Sequence, residues 1–156
     1  MDDLNGLGSQ YPLGMHLYMR APFFALTNPR LDAFIKSYRD RYNEYPSDWA
    51  VMDYDAVMTW AAAANAAKSL DTEKVKEQLV GHSFDSLRGY KFTIRKEDQQ
   101  ANVGETIGTT ASSGGKYPFP IFKDAVNLKG DDIIMPVDMV KKLQAGQCKN
   151  DDFANC

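Results

Sequence analysis

The chain has 156 residues, 44% hydrophobic and 25% charged, a composition that fits one ordinary globular domain and excludes a disordered segment. Its formal net charge is -3, and its basic residues (Arg20, Arg30, Lys36, Arg39, Arg41, Lys68, Lys74, Lys76) are scattered with no dense patch interleaved with aromatics, which argues against a nucleic-acid partner. No apolar run approaches the roughly 18 residues of a membrane-spanning helix, and the opening Met1-Asp2-Asp3-Leu4-Asn5 is acidic and polar, so any export signal is expected outside these residues.

In chain order, Gly6, Gly8 and Gly14 followed by the mostly apolar Met15-His16-Leu17-Tyr18-Met19 read as a loop entering a strand. Asn28-Pro29-Arg30 is a helix start, because Asn accepts from orphan backbone N–H groups and Pro at the first position sacrifices no hydrogen bond. Leu31, Phe34, Ile35 and Tyr38 give that helix one apolar face, and it is expected to end near Asn43. A second helix runs from about Ala50 through Tyr54-Asp55-Ala56-Val57 into Ala61-Ala62-Ala63-Ala64 and is expected to be the most buried, since alanine combines high helix propensity with close packing. Asp71-Thr72 caps a short helix containing Val75, Leu79 and Val80; residues 81–86 read as a loop. Tyr90-Lys91-Phe92-Thr93-Ile94 alternates as a half-buried strand does, and residues 103–109 suggest another with Ile107 facing inward. Ala111-Ser112-Ser113-Gly114-Gly115-Lys116 is a flexible turn, and beyond it short apolar groups (Phe119-Pro120-Ile121-Phe122, Ile133-Ile134-Met135-Pro136) stand in a polar background.

No residue pattern carries catalysis. His16 and His82 are far apart and lack neighbouring ligands, so neither is expected to act on a substrate or hold a metal. Ser113-Gly114-Gly115-Lys116 fits S-x-x-K without its companion motifs, and Gly6-Leu7-Gly8 lacks the third glycine of a dinucleotide fingerprint. Asp53/Asp55 and Asp131/Asp132 read as solvated carboxylates. Cys148 and Cys156, the only cysteines, sit in a polar tail; pairing them closes a short loop suited to an oxidising compartment, the alternative being two exposed thiols, and they are too few for zinc.

The order of elements is more telling. Asn28-Pro29, a helix with Phe34 and Tyr38-x-x-x-Tyr42, Pro46, and Tyr54-Asp55-Ala56-Val57 opening an alanine-rich helix resemble the C-terminal part of type I periplasmic solute-binding proteins of ABC transporters, the branched-chain amino acid and amide class. The resemblance continues through the helix Glu73-Lys74-Val75-Lys76-Glu77-Gln78-Leu79, the loop from Gly81 to Phe84-Asp85, Arg88-Gly89 before Tyr90, and Ile94-Arg95-Lys96-Glu97-Asp98-Gln99-Gln100, covering roughly residues 10–125.

The resemblance implies an α/β fold of two Rossmann-like lobes, here only its C-terminal portion, in which residues 1–27 end a C-terminal-lobe segment, residues 28–97 belong to the N-terminal lobe and residues 98–156 return to the C-terminal lobe with a tail. It implies an extracytoplasmic, cofactor-free, non-enzymatic protein that captures a small solute by lobe closure and delivers it to an ABC transporter permease. A missing N-terminal part of the same protein, or a second copy, is expected to cover the apolar faces this portion exposes. Tyr54 is the first candidate ligand contact, a core tyrosine being the alternative, and the loop before Gly14 is the second. Amino-acid binders of the family place a carboxylate before that glycine to hold the ligand ammonium; here Leu13 stands there after Pro12, so the implied solute is an organic acid, aromatic carboxylate or amide, unless Asp53 or a residue elsewhere supplies the charge. A ligand-sensing regulatory domain of the same fold and an inactive truncated module are the competing readings.

Overall fold

The computed structural model describes residues 2–148. It opens with a short helix α1 (Asp2–Leu7) where the glycines suggested only loop; Leu4, 1% exposed, anchors it in the core, and this burial outweighs the weak helix propensity of Gly6. Strand β1 (His16–Met19) follows as expected, then the helices α2 (Pro29–Tyr42), α3 (Asp48–Ala67) and α4 (Thr72–Leu79). A hairpin of β2 (Ser83–Asp85) and β3 (Lys91–Thr93) comes next, then β4 (Glu105–Ala111), β5 (Ile121–Leu128), α5 (Gly130–Ile133) and α6 (Val137–Gln144).

Local capping sets the helix boundaries. Asn28 accepts from the N–H groups of Arg30 and Leu31 at 3.1 and 3.0 Å, and Asn43 closes α2 in the left-handed region at φ 55°. Ser47 caps α3, so that helix begins two residues before Ala50; Asp71 caps α4 by accepting from Lys74 N–H at 3.2 Å. Asn28 also donates to Leu87 O, tying the start of α2 to the turn of the hairpin.

Two sheets result. The larger is antiparallel in the order β1-β4-β5, with Tyr18 opposite Ile107 and Ile107 opposite Val126; the smaller is the antiparallel β2-β3 pair, with Phe84 opposite Phe92. Residues 83–85, read as loop, are thus a strand, because the alternation in β3 requires a partner. The expectation for Ile107 is reversed. Thr106 and Thr110 face inward and are buried, while Ile107 is 41% exposed beside the exposed Tyr18 and Val126. The threonines are tolerated there because their hydroxyls are used: Thr106 donates to Asn127 Oδ1 at 2.6 Å, and Thr110 donates to Pro12 O and accepts from Met15 N–H, each at 2.9 Å.

The main core gathers Leu4, Met19, Phe23, Leu31, Val51 and Leu87, with Phe119 and Phe122 closing it from the β5 side. A satellite core joins Ala63 and Ala64 of α3 to Val75 of α4, where the alanines allow the helices to approach. Helix α3 is not uniformly buried, however: Trp49, Val57, Met58 and Trp60 are all exposed, because only one stripe of the helix meets the cores. Asp55 departs from the solvated-carboxylate reading in the other direction. It is buried, accepting from Ser86 Oγ at 2.5 Å and Leu87 N–H at 2.8 Å, and so fastens α3 to the hairpin turn.

Toward the end of the chain, Arg95 forms a two-pronged ion pair with Asp98 and donates to Met135 O at 2.7 Å, joining the segment after β3 to the approach of α6. Gly130 starts α5 so close to the backbone of residue 102 that a Cβ would lie 1.7 Å from Asn102 O. Of the expected Cys148–Cys156 pair, Cys156 lies outside the described residues.

Candidate functional site

The exit of β1 and the start of α3 are fastened by one carboxylate. Asp48 is the first residue of α3, where the helix dipole favours negative charge, and its Oδ2 accepts from Arg20 N–H at 3.1 Å and Ala21 N–H at 3.4 Å. The residue is only 8% exposed, and its Oδ1 is buried with no hydrogen-bond partner among the described residues. It lines a cleft of about 410 Å³ whose walls include Tyr11, Leu17, Tyr18, Trp49 and Met52. Arg20 also lines the cleft, but its Nε lies 3.8 Å from Glu105 Oε1. The arrangement is concave and mixed in character, with the aromatic Tyr11, Tyr18 and Trp49 beside the charged Asp3, Arg20 and Asp48.

The residues singled out from the sequence are dispersed. Tyr54 is 37% exposed on α3, its ring 5.1 Å from that of Phe34 on α2, and it lines none of the five clefts described; Asp53 beside it is exposed and likewise lines none. Gly14 adopts φ 83° and donates its N–H to Thr110 O at 2.8 Å, a turn conformation that glycine takes without strain. Leu13 is exposed and lines a separate cleft of about 350 Å³ with Ser112, Tyr117 and Phe119. Sequence reasoning missed Asp48. Pro46-Ser47-Asp48 carries a helix-start signal that would have found the cap, though not the contact with the exit of β1. Among the described residues no group of three His, Cys, Asp or Glu is placed to hold a metal ion.

Residues 2–115 match the sequence family described as Periplasmic binding protein. The chain belongs to that family. No curated protein matches the chain. Among solved structures, this family member is similar to an ABC-type branched-chain amino acid transporter protein from Rhodopseudomonas palustris CGA009, with TM-score 0.72 and 24% identity over 86% of this chain and 35% of that one. It is also similar to a leucine binding protein from Thermotoga maritima MSB8, with TM-score 0.63 and 22% identity over 84% and 35% of the two chains. A solute binding protein of an ABC transporter from Rhodopseudomonas palustris BisB5, solved in complex with 3,4-dihydroxy benzoic acid, gives TM-score 0.64 and 19% identity over 79% and 34%. The fold is therefore that of type I periplasmic binding proteins, and this chain spans about a third of the length of these relatives. Of the described helices, none is long and apolar enough to cross a membrane.

Proposed function

We propose that this periplasmic binding protein chain serves as part of an extracytoplasmic solute-binding component of an ABC importer, capturing a small amino-acid-like, amide or aromatic or other organic-acid ligand by lobe closure and presenting it to a membrane permease without chemical turnover. The observation that carries the reading is the family match over residues 2–115. The connectivity supports the lobe assignment of residues 1–27, 28–97 and 98–156: β1 leaves the larger sheet, α2 through β3 form an excursion, and the chain returns to the same sheet at β4. In this reading the crossings near residues 20–28 and 97–104 act as hinges, and differential contact of the solute with the two lobes stabilises the closed state.

Tyr54 is the proposed aromatic contact, since its partly exposed ring at the α2–α3 junction offers both an apolar face and a hydroxyl. Leu13 and Gly14, with the backbone around them, are the proposed second contact, and Asp53 the neighbouring charge. The test is a thermal-shift screen of the chain, alone and mixed with the remainder of the two-lobed fold, against amino acids, amides and aromatic or short-chain organic acids. A saturable rise in melting temperature that weakens in Tyr54→Ala is expected; no rise across the panel for the reconstituted protein refutes the reading.

A further inference from the structure

Two faces of the chain are apolar and exposed, and they are of opposite kind. One is the outer face of the three-stranded sheet, where Tyr18, Ile107 and Val126 form a row across β1, β4 and β5. That face is hollow: a depression of about 740 Å³ is lined only by residues of these three strands. The other is a stripe of α3, where Trp49 and Trp60 stand about three turns apart on one side with Val57 beside them. Helix α4 packs on α3 only past this stretch, at Ala63 and Ala64. The two faces meet at the cleft between β1 and α3, which Tyr18 and Trp49 both line. Each of the six side chains is between 41% and 63% exposed, which leaves roughly 600 Å² of them in water, the upper end of what a monomer shows in one patch.

We infer that these faces form one two-fold interface between two copies of this chain, with α3 of each copy lying on the open sheet of the other. A sheet with a bare apolar face buries it most simply under a helix, and three strands, about 10 Å between the outer two, are as wide as one helix. The sheet half and the helix half lie on either side of the Tyr18–Trp49 cleft, so a two-fold axis at that cleft sets each half against its complement and covers both at once. The indole of Trp60 enters the hollow, where Asp124 on the lining accepts its N–H. Asp53, exposed between the two indoles, takes a cation from Lys123, which the register places on the sheet one row from Ile107. Counting both copies, about 1,200 Å² is buried, the size at which specific interfaces begin. The inference goes beyond the solute-binding reading and does not depend on it.

Sedimentation velocity of the full chain across micromolar concentrations tests it. The expected mass rises to twice the 17.5 kDa of one copy and stops there. Ile107→Glu on the sheet and Trp60→Glu on the helix are each expected to weaken association about thirtyfold, since the symmetry places each substitution in the interface twice. Mixing the two variants is the decisive step. A mixed pair keeps one intact contact, the sheet of the Trp60→Glu copy against the helix of the Ile107→Glu copy, and is expected to associate about fivefold more tightly than either variant alone. Circular dichroism checks that each variant is folded; if Ile107→Glu is not, Tyr18→Ser takes its place in the same comparison. A chain that stays monomeric overturns the inference and leaves both faces to the rest of the two-lobed fold. Growth beyond a dimer, association unchanged by either substitution, or a mixture no tighter than its components also overturns it.

Discussion

Asp55 is the strongest test of how the hairpin is held to α3. Both of its oxygens are used inside the protein, Oδ2 by Ser86 Oγ at 2.5 Å and Oδ1 by Leu87 N–H at 2.8 Å, and Ser86 Oγ in turn accepts from Arg88 N–H at 3.0 Å. Hydrogen bonds to a charged group contribute about 1.5–3 kcal/mol each, and cutting them by truncation also strands the buried donors. Asp55→Ala is therefore expected to destabilise the chain by about 3–5 kcal/mol, a large share of the total for a domain this size. Asp55→Asn keeps an acceptor for Leu87 N–H but replaces the other oxygen by an amide that the Ser86 hydroxyl must turn to meet, and about 1–2 kcal/mol is expected. Asp53→Ala, two residues away and exposed, is the control and is expected to change stability by less than about 0.5 kcal/mol. Urea unfolding followed by far-ultraviolet circular dichroism measures all three from midpoint and slope. If Asp55→Ala costs no more than Asp53→Ala, the carboxylate does not hold the turn and the argument fails.

The Arg95–Asp98 pair carries a pH dependence. The hydrogen bonds from Arg95 hold the Asp98 carboxyl below its ordinary value of 3.8, so its contribution is fully present above that value and is lost as the pH falls through the lower folded value. Urea midpoints are expected to fall more steeply below about pH 4 for the parent chain than for Asp98→Asn; parallel profiles would refute this. Gly130→Ala is expected to lower stability by more than about 2 kcal/mol or shift the start of α5, because the new Cβ meets the carbonyl of residue 102 at 1.7 Å. Gly6→Ala, with nothing within 4 Å and a helical position, should instead raise the thermal midpoint slightly, by about 0.5–1 kcal/mol in stability; calorimetric scans of the two variants distinguish these signs.

What the sequence disclosed was chiefly what neighbouring residues decide among themselves. The caps at Asn28 and Asp71 were legible because the oxygen and the N–H it serves lie two or three residues apart. Ile107 was misassigned because alternation gives a period without saying which phase faces the core, and the phase is set by Asn127 and Pro12, far away in the chain. Asp53 and Asp55 look alike in sequence, and only the turn at residues 86–88 separates them. Asp48 was overlooked for the same reason, since its partners Arg20 and Ala21 precede it by 28 and 27 residues. Tyr54 and Leu13 came from the family resemblance, and the clefts of this chain do not join them, because each packs against its own local neighbours.

The pairing of β1 with β4 also bears on how the chain folds. His16 and Thr109 share a hydrogen bond across 93 residues of sequence, whereas the contacts that close the α2 to β3 excursion span less, 59 residues between Asn28 and Leu87 and 31 between Asp55 and Ser86. Closing so long a loop carries an entropic penalty that helps only after the excursion has become compact and drawn its ends together. Assembly should thus run inside out in sequence terms, helices and hairpin first and the three-stranded sheet last, with β1 an unpaired edge until that final step. During synthesis β1 emerges before β4 and waits for it, an interval in which the apolar Leu17 and Met19 are open to other chains.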